Sequence, residues 1–78
     1  MNGGRLPVVS GRQVIRALTQ AGFVVDRIAG SHHVLAHPRD PTRTVTVPVH
    51  AGRDLKRGTL RSIIRQSGFT VEEFVRLL

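Results

Sequence analysis

Apolar residues recur along this chain in two periods, near 3.6 residues towards either end and 2 residues through the middle. Val14, Ala17, Leu18 and Ala21 fall at i, i+3, i+4 and i+7, the buried stripe of an amphipathic helix. Ser10-Gly11-Arg12-Gln13 directly before it has the Ser-x-x-Gln form of a capping box, so the helix begins at Ser10. Val9, ahead of the cap, is placed to staple onto Val14, and Gly22 to take the left-handed position that ends the helix. Leu6-Pro7-Val8-Val9 is then a short extended lead, and Arg12, Arg16 and Gln20 form the polar outer face.

The period changes after Gly22. Phe23-Val24-Val25-Asp26-Arg27-Ile28-Ala29 is rich in β-formers and reads as a first strand, broken by Gly30-Ser31 before a second at His32-His33-Val34-Leu35-Ala36-His37. The two form a tight hairpin. His37-Pro38-Arg39-Asp40-Pro41 should stop the second strand, and Thr44-Val45-Thr46-Val47-Pro48-Val49 alternates as a half-buried third, valines on one face and threonines on the other.

Helical spacing then returns. After a polar loop over His50-Ala51-Gly52-Arg53-Asp54-Leu55-Lys56-Arg57-Gly58, Leu60, Ile63 and Ile64 mark a second helix ending near Ser67-Gly68. Thr70-Val71-Glu72-Glu73 is another capping box, with Phe69 and Phe74 as its staple, and predicts a short last helix with Val71, Phe74, Val75 and Leu78 inward. The order is α-β-β-β-α-α. Its compact solution is an α+β fold, a three-stranded antiparallel sheet with the helices packed on one face. At 78 residues the chain has room for one small core, so a single domain over 1–78 is expected, with residues 1–5 flexible.

Charge narrows the choice of partner. Twelve Lys+Arg against five Asp+Glu give a formal charge of +7, which suits a polyphosphate. Three Phe with no Tyr or Trp argue against a protein that stacks successive bases on aromatic rings, so contact should be to backbone and shape. Cysteine is absent, which removes disulfides and thiolate zinc sites and fits a reducing cytoplasm. No apolar run approaches the ~20 residues of a membrane span, and no signal-type segment follows Met1-Asn2-Gly3-Gly4-Arg5, so a soluble cytoplasmic protein with no membrane contact is expected.

Gly30-Ser31-His32-His33 carries the candidate chemistry. Histidine is the side chain best able to exchange protons near neutral pH, and a Gly-Ser turn delivers His32 to the start of a strand. The small turn lets backbone N–H groups and the Ser31 hydroxyl approach a phosphate closely. His33 points to the opposite strand face and reads as structural, because side chains alternate with period two. His37 shares the His33 face but lies roughly 13 Å along the strand, which disfavours a tri-histidine zinc site, and no metal or cofactor is expected. His50, at the end of the third strand, is a candidate supporting residue. Arg53, Lys56 and Arg57 enter the second helix and Arg61 and Arg65 continue along one of its faces, a candidate RNA-binding phosphate track to which the helix N-terminus adds.

Gly30-Ser31-His32-His33, Thr46-Val47-Pro48-Val49-His50, Leu55-Lys56-Arg57-Gly58-Thr59-Leu60 and the closing Gly68-Phe69-Thr70-Val71-Glu72-Glu73-Phe74 together closely resemble the HicA family of toxins, from about Leu6 to the C-terminus. The resemblance implies a fold like the double-stranded-RNA-binding domain, an endoribonuclease (mRNA interferase) activity on messenger RNA that halts translation, and neutralisation by a HicB-type antitoxin. It also implies that the first histidine after Gly-Ser, His32, is catalytic and that Gly30 shapes the turn presenting it. Two other readings stay open on the residues themselves. A noncatalytic double-stranded-RNA-binding module would bind RNA without cutting it, and a structural protein with only a protein partner would have no RNA affinity at low salt.

Overall fold

The computed structural model describes residues 5–78; the expectation of a flexible lead at 1–5 lies, but for Arg5, outside the described residues. Six elements follow in order, α1 (Gly11–Gln20), β1 (Val24–Ala29), β2 (His32–His37), β3 (Asp40–Pro48), α2 (Arg57–Ser67) and α3 (Val71–Leu77). Both capping boxes form. Ser10 Oγ accepts the Gln13 N–H at 3.2 Å while Gln13 Oε1 accepts the Ser10 N–H at 2.8 Å. Thr70 and Glu73 reciprocate in the same way at 3.1 and 2.8 Å. Gly22 follows α1 at φ 102° and Gly68 ends α2 at φ 83°, the left-handed backbone in which a Cβ would be strained.

The three strands are antiparallel in the order β1-β2-β3, and the helices lie on one face of the sheet, which makes the architecture α+β and like that of the double-stranded-RNA-binding domain. β3 starts at Asp40, four residues earlier than the Thr44 expected from the proline-rich segment. The regular ladder with β2 nonetheless starts at Thr44, opposite Ala36; Asp40 pairs only with His37 across the turn, and the register shifts over residues 41–43 between the two. Asp40 holds the beginning of the strand by accepting the Thr42 N–H at 3.1 Å and its hydroxyl at 2.5 Å, contacts that keep its carboxyl below the usual range. At the other end β3 stops at Pro48 rather than Val49, although the Val49 N–H still reaches the Ser31 carbonyl at 2.7 Å. Phe23 precedes β1 instead of starting it, and its buried ring meets His37 edge-on at 5.1 Å.

Leu35, Val45 and Val47 are fully buried and define the sheet's inner face, over which Val14, Leu18, Leu60, Ile63 and Phe74 complete the core. Thr44 and Thr46 are on the outer face, as the alternation required. Along β3's own edge, the Gln66 side-chain oxygen of α2 accepts the Thr46 N–H at 3.3 Å, covering one of the edge donors. Asp26 is an extra residue in β1, where the register with β2 shifts between Val25 and Arg27, and such a bulge turns an edge strand away from further pairing. The last helix buries less than its pattern indicated. Phe74 is fully buried, but Val75 and Leu78 are 40% and 46% exposed rather than inward. Val75 lies about 100° round the helix from Phe74, and Leu78 lies beyond its last residue.

Two local contacts fix how the helices meet the sheet. Arg43 of β3 donates from Nε to the Ser67 carbonyl at 2.6 Å, and its guanidinium stands 5.2 Å from the Phe23 ring and 4.9 Å from that of Phe69, so it ties β3 to the end of α2. Gly11 is buried at the first position of α1, where a Cβ would collide with the Pro48 carbonyl oxygen and crowd Val49. Only glycine lets the start of α1 lie this close to the end of β3.

Candidate functional site

His32 owes its direction to the register. It pairs with Ala29 on one side and Pro48 on the other, and because Leu35 points into the core, alternation turns His32 to the open outer face, where it is exposed. Gly30 before it has φ 60° and open space where a Cβ would be, so the turn is both left-handed and unobstructed. Ser31 is half-buried and its carbonyl accepts from Val49, which joins the turn to the chain leaving β3.

That junction gathers further elements. Ser10 bridges to Asp54, and the Leu55 N–H donates to the Val9 carbonyl at 2.8 Å, so the start of α1 and the loop after β3 are held together. The β1–β2 turn, the start of α1, the His50–Asp54 loop and the approach to α2 therefore meet at one end of the molecule. His50 and Arg53 line a cleft of about 320 Å³ there together with Arg12 and Asp54. His50 is exposed. Lys56 is the residue before α2 and makes no side-chain cap, leaving the first-turn N–H groups of α2 to solvent or an anion. Arg57 opens the helix, and Arg61 and Arg65, both exposed, follow about 6 and 12 Å further along its axis. The structure thus brings Arg53, Lys56 and Arg57 to the His32 end and leaves Arg61 and Arg65 progressively farther from it. Arg65 also donates to the Ser62 hydroxyl at 3.2 Å.

The other two histidines separate clearly. His37 accepts the Arg39 N–H on Nδ1 at 3.2 Å and packs against Phe23, a structural role at the β2–β3 turn. His33 sits on the inner face between Ile28 and Val47, half-buried, and its buried Nδ1 has no hydrogen-bond partner. It lines a second cleft of about 250 Å³ with Arg12, Ile15, Arg16 and Val49. From the sequence, Arg12 and Arg16 are no more than the outer face of α1. Their i, i+4 spacing places them on one side of the helix, but nothing in the pattern tells that this side borders the start of β2, which follows from the close approach at Gly11.

Among the described residues no three His, Asp or Glu side chains are grouped as the ligands of a metal ion would be, and no helix is long and apolar enough to cross a membrane.

Among known families, residues 11–69 match the one described as the HicA toxin of bacterial toxin–antitoxin systems, while no curated protein matches the chain. A toxin of this kind implies an antitoxin as its partner. Since the matched stretch runs from the first residue of α1 through the whole sheet and the Gly30-Ser31-His32 turn to the residue after α2's closing glycine, the chain belongs to the HicA toxins of bacterial toxin–antitoxin systems.

Proposed function

We propose that this toxin is an mRNA interferase, an endoribonuclease that cuts messenger RNA by metal-independent histidine acid–base chemistry, halts translation in the cytoplasm, and is neutralised by a HicB-type antitoxin. The observation that carries the reading is the exposed imidazole of His32, set directly after the open Gly30-Ser31 turn at the end of the molecule where Arg12, Arg53, Lys56 and Arg57 gather. In such a cleavage the 2′-oxygen of a ribose bonds to the adjacent phosphorus as the bond from phosphorus to the 5′-oxygen breaks. A base takes the 2′-hydroxyl proton and an acid protonates the departing 5′-oxygen, with cations stabilising the extra negative charge on the phosphate. His32 supplies proton transfer, the Gly30-Ser31 turn gives the phosphate close approach, and His50 in the neighbouring loop is the candidate for the second proton-transfer group.

The test is incubation of the purified protein with messenger RNA in excess chelator. Fragments ending in a 2′,3′-cyclic phosphate, with 5′-hydroxyl counterparts, are the expected products. Activity that disappears in chelator and returns with a divalent ion would overturn the metal-independent mechanism. Intact RNA that is nonetheless bound would leave a noncatalytic double-stranded-RNA-binding module.

Binding has its own signature. Replacing Lys56, Arg57 and Arg61 together by Ala should weaken RNA association for all sequences alike and flatten its salt dependence, by ~0.7 in log–log slope for each single-strand phosphate no longer neutralised. Base preference should stay the same. An unchanged slope, measured by titrating salt against a labelled RNA, would place the binding track elsewhere.

A further inference from the structure

Between α1 and the inner face of the sheet, at the same end as His32, lies the cleft lined by Arg12, Ile15, Arg16, His33 and Val49. We propose that Arg12, Arg16 and His33 form a second phosphate site, which takes a backbone phosphate of the RNA next to the one cut at His32; the proposal rests on the ribonuclease reading above.

Three features point to a phosphate. The arginines stand one helical turn apart on α1 and both line the cleft, so their like charges repel until an anion lies between them. The His33 Nδ1 is buried without a partner, which costs free energy, and the same ring lines the cleft. A phosphate oxygen would accept a hydrogen bond from His33, and its other oxygens match the planar fork of a guanidinium. The rest of the lining, Ile15 and Val49, is apolar, which strengthens a charge-assisted contact, and apart from the His33 imidazole no aromatic ring is present on which a base could stack. No carboxylate lines this cleft. Asp54 belongs to the adjoining one, which shares Arg12 and Val49 with it and also holds His50 and Arg53.

The placement also explains how two adjacent histidines serve one strand of RNA. His32 faces outward and His33 inward, so they address opposite faces of the sheet at its end. The turn at Gly30, with nothing occupying the position of a Cβ, leaves room for the RNA backbone to pass round that end from one face to the other. A phosphate in the cleft would fix the register of the ribose presented to His32.

The experiment uses the full chain carrying His32→Ala, so that a single-stranded oligoribonucleotide stays intact. Arg12→Gln with Arg16→Gln is compared with Arg39→Gln and Arg76→Gln, which remove the same charge from exposed positions in the β2–β3 turn and α3. The Arg12/Arg16 pair should lose about tenfold or more in affinity, with a salt slope lower by ~0.7 for the one phosphate it no longer holds. The His33 ring resonance should shift saturably with the oligonucleotide, and with inorganic phosphate at higher concentration, in the parent and in the Arg39/Arg76 control. It should stay still in the Arg12/Arg16 variant. Thermal melting shows that each variant is folded.

Equal affinities and slopes for the two pairs, or a His33 ring that RNA does not move, would overturn the site. So would a ring moved only by the antitoxin. Cleavage of RNA by the His32 protein with no effect of Arg12 and Arg16 would reject the cleft alone. Absence of cleavage beside a normal His33 response would reject the ribonuclease reading and leave the phosphate site standing.

Discussion

His32→Ala is expected to abolish growth arrest on expression and RNA cleavage in the tube while leaving a folded protein. The side chain is exposed on the open face of the sheet, away from Leu35, Val45 and Val47, so its removal should change stability by no more than about 0.5 kcal/mol. Loss of a positioned proton-transfer group, by contrast, lowers the rate by roughly a hundredfold to ten-thousandfold. RNA and antitoxin binding should persist, because the arginines and Lys56 remain. His33→Ala is the informative contrast, since that ring is half-buried between Ile28 and Val47 and its removal also acts through packing. Growth curves on induction, thermal melting and a pull-down with the antitoxin separate these outcomes. A folded His32→Ala protein that still arrests growth would falsify the catalytic role.

The largest expected loss of stability from a single added side chain is at Gly11. In Gly11→Val the new Cβ meets the Pro48 carbonyl oxygen and Val49, backbone and side chain that are themselves fixed by pairing to β2 and by the hydrogen bond to Ser31. Forcing α1 away from the end of β3 should cost about 2 kcal/mol, or ~10 °C in melting temperature for a domain of this size. Activity should fall further than stability explains, because Arg12 and Val49 line both clefts beside His32. Gly58→Ala in α2 is the control: a Cβ there meets nothing, and the gain in helix propensity should leave the protein as stable or up to ~1 kcal/mol more so. Equal melting points for the two variants would show that the close approach at Gly11 is not a constraint on the fold.

Local chemistry wrote most of the fold into the sequence where a few adjacent residues decide the outcome. Ser10 with Gln13 and Thr70 with Glu73 form the reciprocal bonds their spacing required, and the alternation of Val45 and Val47 with Thr44 and Thr46 sorts inner from outer face. The early start of β3 was hidden because it rests on a single pairing of Asp40 with His37 across the turn, separated by a register shift from the ladder that begins at the expected Thr44. Val75 and Leu78 followed the helical period, yet α3 is too short to turn more than Phe74 fully into the core. The turn that presents His32 was legible from Gly30-Ser31 alone. The companion cleft was not, since Arg12, Arg16 and His33 come together only through the packing of α1 on the sheet. Arg43 was invisible for a related reason: its partners, Phe23, Phe69 and the Ser67 carbonyl, are at least 20 residues away along the chain.

The core does not end where the family match ends. Phe74, whose side chain is wholly enclosed, belongs to α3, and Leu6 and Val9, also buried, come before α1, while the match covers 11–69. The stretch by which a HicA toxin is known is therefore smaller than the unit that folds. A chain cut after Phe69 would keep His32, both clefts and every basic residue assigned to RNA, and yet would open a hole where Phe74 stood, a loss of about 3 to 5 kcal/mol from the ring alone. Removing α3 would accordingly disarm the toxin through its fold, without touching a single residue proposed for its chemistry.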